Sequence, residues 1–119
     1  MLEDALYTAL SPLVGGRIYP DVAPLVTARP YITYQQIGGT AHAYIDKTLP
    51  DHEHALVQIN IWADTRIEAA ILRKLTEQNL IAATSLEARP ASGPISTHEP
   101  DLTPPGYGTR QDFHVWLPR

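Results

Sequence analysis

The sequence contains no cysteine, and charged residues make up only 18% of its 119 positions. Without cysteine the chain forms neither a disulfide nor a cysteine-ligated zinc site. Its 9 basic residues are outnumbered by 13 acidic ones and form no cluster of the kind that binds nucleic-acid phosphates. No apolar run approaches the roughly 20 residues that cross a bilayer, and the acidic start lacks the features of a signal peptide. These absences predict a soluble cytoplasmic protein that binds neither nucleic acid nor membrane.

The low charge content leaves two interpretations of the surface open. Either it is neutral because other chains cover it, or this is a small domain whose exposed residues are mainly Thr, Gln and Pro.

Recognised catalytic and phosphate-binding motifs are missing as well. No serine occupies a Gly-x-Ser-x-Gly turn. Neither glycine pair, 15–16 or 38–39, belongs to a phosphate-binding loop. We therefore predict a protein that is not an enzyme and that has no catalytic residues and no cofactor.

The densest group of polar residues is Asp-His-Glu-His at 51–54, with His42 nearby. Two histidines one residue apart can share a metal ion, but catalytic zinc needs three well-spaced ligands and neighbours that orient them. Pro50 places the group in a predicted exposed loop, so we predict no metal site. A small metal-dependent hydrolase using His42, His52 and His54 is kept as an alternative, which calorimetric titration with zinc would test.

The clearest folding signal is a strand followed at once by a helix, at 55–80. The strand at 56–62 alternates apolar and polar residues, which predicts one buried face and one face carrying Gln58, Asn60 and Trp62. In the helix predicted at 65–80, Thr65 and Glu68 have the spacing of a capping box. The apolar residues expected to form the core are Val57, Ile59, Ile61, Ile67, Ala70, Ile71 and Leu75.

The other elements are predicted from periodicity and from proline and glycine positions. They are a helix at 2–11, an extended segment at 17–20, a loop at 21–29, strands at 31–37 and 109–117, a short strand at 84–88, and loops at 40–54 and 89–108. Within the loops, 40–46 is either a further strand or a mobile arm, and 95–98 is a candidate edge strand. The set predicts a single α+β domain over 1–119. Its antiparallel or mixed sheet has about four strands, with two main helices packed on one face.

Both long strands place a tryptophan on the polar face. Beside Trp62 lie Gln58 and Asn60, and in the last strand the polar face carries Arg110, Asp112, His114 and Trp116. Large aromatic residues among neutral polar groups are typical of protein contact surfaces, so we predict a subunit interface formed by these seven residues. The alternative is that each indole closes an end of the core beneath a loop.

Five segments, taken in order, resemble a known family. They are Leu-Glu-Asp-Ala-Leu-Tyr-x-x-Leu at 2–10, Gly-Arg-Ile-Tyr-Pro-Asp-Val-Ala-Pro at 16–24, Pro-Tyr-Ile-Thr-Tyr-Gln at 30–35, Val-Gln-Ile-Asn-Ile-Trp-Ala at 57–63 and Asp-Phe-His-Val-Trp at 112–116. The family comprises the tail-completion (tail terminator or head–tail joining) proteins of long-tailed bacteriophages and prophages. The similarity covers 1–80 and resumes near 106, while 89–105 has no clear correspondence.

The resemblance implies an α+β fold and a structural role without catalysis or cofactor. It also implies a ring of subunits, commonly a hexamer, that caps the tail tube and faces the head connector. Such subunits can stay monomeric until a tail end templates their assembly, which takes place in the host cytoplasm and ends in the virion. We expect the loop at 40–54, with His42, Tyr44, His52 and His54, to be mobile in the free subunit and ordered on assembly. The remaining alternative is a host protein-binding module with no phage role.

Overall fold

The computed structural model describes residues 1–40, 52–102 and 104–118. The elements in these ranges are helix α1 (Leu2–Leu10), a 3-10 turn (Ser11–Leu13), strands β1 (Ile18–Pro20), β2 (Tyr31–Gly38) and β3 (His52–Ala63), helix α2 (Arg66–Ala82), and strands β4 (Glu87–Pro90), β5 (Ile95–Glu99) and β6 (Gly106–Pro118). The fold is α+β, as predicted. Among the described residues, neither helix combines the length and apolar character that crossing a membrane requires.

The six strands form one mixed sheet, where the sequence predicted about four strands. The order across the sheet is β1-β2-β3-β6-β4, and β5 also pairs with β6. In the described part of the chain, only β1 and β2 run parallel, and the other neighbouring pairs β2–β3, β3–β6, β4–β6 and β5–β6 are antiparallel. Every residue of β3 has a partner in β6, from His52 opposite Pro118 to Ala63 opposite Tyr107. This long pair of strands is therefore the centre of the molecule.

The core lies on one face of the sheet. The alternation predicted for β3 is confirmed, because Val57, Ile59 and Ile61 are at most 2% exposed. In β6 the same face buries Phe113 and its neighbours at alternate positions, and α1 adds Leu6 to the same apolar cluster. Burial of these aliphatic and aromatic side chains is the main stabilising contribution to the fold.

Helix α2 begins as the sequence predicts. The hydroxyl oxygen of Thr65 accepts a hydrogen bond from the backbone N–H of Glu68 at 3.1 Å, as an N-cap should. The carboxylate of Glu68 accepts from the backbone N–H of Asp64 at 3.2 Å, one residue before the cap. The start of the helix is thus fixed by the predicted pair of side chains.

The predicted buried face of α2 is wrong. Ile67, Ile71 and Leu75 are 73%, 54% and 36% exposed. The buried residues of the helix are Ala69, Leu72, Thr76 and Leu80. The helix carries two apolar faces, and the one with the small side chains of Ala69 and Thr76 lies against the sheet, where small residues allow close approach. The large size and helical spacing of Ile67, Ile71 and Leu75 had favoured the opposite side of the helix as the buried one.

Strands extend into both of the predicted loops. Strand β3 begins at His52, so residues 52–54 lie in the sheet, and the predicted arm at 40–46 falls largely outside the described residues. The stretch 89–108 contains the end of β4, all of β5 and the start of β6. The edge strand at 95–98 is confirmed as β5, and the short strand predicted at 84–88 lies at Glu87–Pro90. Proline is tolerated here because Pro90 is the last residue of a short strand.

Candidate subunit interface on the open sheet face

The register of β3 against β6 brings the predicted contact residues together on one surface. Gln58 lies opposite Asp112, and Asn60 lies opposite Arg110. All are half-buried, and alternation places them on the side of the sheet that the helices leave uncovered. We call this surface the open face; it consists of Gln58, Asn60, Trp62, Arg110, Asp112, His114 and Trp116. The sequence assigned these residues to two strands, and the fold makes them neighbours.

At one end of the open face a histidine pair holds Trp116 in place. The backbone N–H of Thr40 donates to Nδ1 of His54 at 3.0 Å. Since Nδ1 accepts, Nε2 of His54 carries the proton and donates to Nδ1 of His114, 2.8 Å away. The His54 ring lies 5.0 Å from the Trp116 ring, and Arg89 stands 4.7 Å above that indole. His54, predicted to lie in a mobile loop, thus lies in an ordered strand beside the open face, and Arg89, which the sequence did not indicate, borders it.

At the other end, Gly108 makes room for Trp62. A side chain on Gly108 would place its Cβ 3.0 Å from Cε3 of this indole and 2.8 Å from the carbonyl oxygen of Ile61. A Cβ on Gly106 would lie 2.8 Å from Nη1 of Arg29, so this glycine makes room for that guanidinium. The Gly-x-Gly at the start of β6 therefore lets the Trp62 indole and the Arg29 guanidinium approach the strand closely. The sequence predicts a loop at these glycines and gives no local sign of this role.

Arg29 anchors the chain beside Trp62. Its Nε lies 3.1 Å from the carboxylate of Asp64, and its Nη2 donates to the carbonyl oxygen of Pro104 at 2.7 Å. The peptide bond between Arg29 and Pro30 is cis. These contacts hold the loop that follows β1 against the end of the sheet.

Between that loop and the sheet lies an open groove of about 880 Å³. We call it the Trp62 groove; the larger apolar side chains that line it are Val22, Leu25, Val26, Tyr31, Trp62 and Leu102. Leu25 and Val26 are 95% and 94% exposed. Burial raises the pKa of Tyr31; the Arg29 charge lowers it and Glu99 raises it again. The groove was missed because the loop at 21–29 has no periodicity, although a run from Val22 to Val26 without a charged residue was a compositional signal.

The structure gives the metal alternative no support in the ranges it covers. The described residues contain no group of three or more His, Cys, Asp or Glu side chains that could hold a metal ion. His52 is exposed at the start of β3, and His42 and Tyr44 lie outside the described residues.

A sheet with one face under helices, and with the other carrying tryptophans among neutral polar groups, defines a class of small α+β protein suited to protein–protein contact. The family model described as "Tail completion protein gp17" matches residues 4–98 of the sequence. The chain therefore belongs to this phage tail-completion family and has its structural role. The match runs through most of β5, further than the resemblance at 1–80, and includes part of the 89–105 stretch. No curated protein matches the sequence.

Proposed function

We propose that the protein acts as a structural component that completes the phage tail by assembling with copies of itself into a ring. Two observations support the proposal: the chain matches the family over residues 4–98, and its sheet has an open face suited to protein contact. The family resemblance implies six subunits, with the tail tube on one side and the head connector on the other. Assembly takes place in the host cytoplasm, and the protein ends in the virion at the tail end or the head–tail junction.

The open face supports a contact role because of its composition. It combines two tryptophans with amide groups and only two charged side chains of opposite sign, Arg110 and Asp112. Burying neutral polar groups and aromatic rings costs less desolvation than burying charges, and aromatic residues supply much of the binding energy at many interfaces. A purely structural role of this kind needs no catalytic group and no cofactor.

Complementation of a phage that lacks this gene tests the proposal. The wild-type gene should restore infectious particles with joined heads and tails. Asp112→Arg, which changes the open face without touching the core, should fold normally and lower the yield of joined particles by at least about tenfold, because a misplaced charge in an interface costs more than about 1.4 kcal/mol. Electron microscopy of the lysates counts the joined particles.

Trp116→Ser gives a second test of the same surface, and Tyr7→Ser on α1 is its control. Tyr7 is 52% exposed and lies on another element, so its replacement should leave joining intact. If folded Asp112→Arg joins tails like the wild type, or if Trp116→Ser unfolds the subunit, the open face is not the interface. Normal tails in the phage without the gene would overturn the proposed function itself. Portal and tail genes on either side of this gene would argue against a host binding module.

A further inference from the structure

Helix α2 is apolar on both sides, which is unusual for a helix at the surface of a single subunit. Its inner side packs on the sheet, and its outer side carries Ile67, Ile71 and Leu75, which we call the outer stripe. These residues recur every fourth position, so they form one line along the helix. The exposed Lys74 beside them is the only charged residue among the exposed positions of α2. A helix with two apolar faces is expected where it lies between its own sheet and a second protein surface.

The Trp62 groove is a second exposed apolar surface, and it lies on the other side of the sheet. Tyr31 is opposite Trp62 in the β2–β3 pair, on the face away from α2. The outer stripe and the groove therefore cannot meet within one chain. Two different apolar surfaces on opposite sides of a subunit suit a head-to-tail contact, which closes into a ring when the rotation is right.

The charges at the two surfaces favour pairing between unlike surfaces. In the groove, Arg29 and Asp64 form an ion pair, which leaves Asp21 as its uncompensated charge. At the outer stripe the charge is the cation of Lys74. Among the described residues neither Asp21 nor Lys74 has an ion-pair partner. Stripe against stripe would bring two lysines together, and groove against groove two aspartates, whereas stripe against groove pairs opposite charges.

We propose that the outer stripe of one copy docks into the Trp62 groove of a second copy. This contact is the head-to-tail interface of the ring, and the inference rests on the ring in the proposed function. It assigns the second, complementary surface that a ring requires and that the open face alone does not supply. Leu25 and Val26 at the rim close over the aliphatic stripe, and Lys74 faces Asp21.

The absence of native cysteine allows a direct test by cross-linking. Ile71→Cys and Leu25→Cys chains are prepared separately, mixed, and treated with a short bis-maleimide reagent, alone and with isolated phage tails. We expect a mixed Ile71→Cys–Leu25→Cys dimer as the main product. The control is a mixture of Tyr7→Cys and Leu25→Cys, because Tyr7 matches Ile71 in exposure, 52% against 54%. Products formed mainly between two Ile71→Cys chains would overturn the inference in favour of a symmetric dimer.

A charge exchange provides an independent test by sedimentation velocity. Lys74→Glu and Asp21→Lys should each weaken association about three- to tenfold, and the double variant should regain most of the loss. Ile71→Glu should abolish association at concentrations where Tyr7→Glu still associates.

The outcomes separate the inference from the proposed function. If the wild type associates and Ile71→Glu associates equally well, the docking inference fails and the ring stands. If the wild type remains monomeric and the thiol pair gives no mixed product even on isolated tails, the inference also fails. The complementation experiment then decides the tail-joining role on its own.

Discussion

At the scale of single residues, Thr76 is a polar group in an apolar place. It is 1% exposed on the inner side of α2, and its hydroxyl has no hydrogen-bond partner among the described residues. A buried hydroxyl that has lost its hydrogen bonds to water lowers the stability of the fold. Its small size is nevertheless what allows the helix to lie close to the sheet.

Replacing this residue with the isosteric valine should therefore stabilise the protein. We expect Thr76→Val to raise the free energy of unfolding by about 1 kcal/mol, because the unpaired hydroxyl is removed while the shape of the side chain is kept. Urea denaturation followed by circular dichroism measures the change. Thr76→Ala is the control and should destabilise, since it leaves a cavity. A less stable Thr76→Val variant would mean that the hydroxyl has a favourable partner.

Tyr34 should make stability depend on alkaline pH. Burial, followed by the carboxylates of Glu3, Asp21 and Asp4, raises the pKa of its phenol above the ordinary value of 10.0. The folded state thus holds the proton more tightly than the unfolded chain. The contribution of protonated Tyr34 to the stability of the fold is fully present below pH 10. It is lost as the pH rises through the higher pKa of the folded state. In urea titrations above pH 10, Tyr34→Phe should lose stability less steeply than wild type; equal slopes would contradict the assignment.

At the scale of elements, the first residue of α2 ties the helix to two strands. Nη1 of Arg66 donates to the carbonyl oxygen of Gly108 at 2.7 Å, and Nη2 donates to that of Thr97 at 2.6 Å. The guanidinium also lies 5.5 Å from the centre of the Tyr107 ring. Among the strands that the structure describes, β5 pairs with β6 alone, and most of its residues are exposed. Arg66 is therefore a main attachment of β5 to the rest of the fold.

Removing that side chain should loosen β5 and leave the centre of the sheet unaffected. We expect Arg66→Ala to speed amide hydrogen exchange in Ile95–Glu99 by about tenfold or more, because two charge-assisted hydrogen bonds worth about 1.5–3 kcal/mol each are lost. The β3–β6 amides should keep the slowest exchange. Lysine cannot reach both carbonyl oxygens in the same geometry. The exchange rates of the β5 amides in Arg66→Lys should therefore lie between those of the wild type and those of Arg66→Ala. A uniform acceleration across the sheet would instead indicate global destabilisation.

At the scale of the whole molecule, association and stability should be linked. If copies bind one another when folded and not when unfolded, mass action raises the melting temperature with protein concentration. We expect the wild type to show this rise over a hundredfold concentration range in calorimetry. Ile71→Glu should melt at one temperature throughout, near that of dilute wild type, because residue 71 is exposed in the subunit. A wild-type melting temperature that is independent of concentration would contradict self-association.

Much of the fold was predictable because its signals are local. The alternation in β3 and β6 gave the buried residues and placed the seven open-face residues on one side of their strands. The capping pair Thr65 and Glu68 gave the start of α2. The outer face of α2 was not predictable in this way, since its two apolar sides satisfy helical periodicity equally well. The choice between them depends on which side can approach the sheet closely.

The sequence by itself determined the α+β class, the central strands and the family, since each depends on residue order along the chain. Only the tertiary structure decided which residues that are distant in sequence contact one another. It set Gln58 opposite Asp112, joined His54 to His114, laid Trp62 over the glycines of β6, and turned the outer stripe of α2 to the surface. The physical reason is that these contacts depend on strand register and close packing between distant segments. No local pattern encodes them.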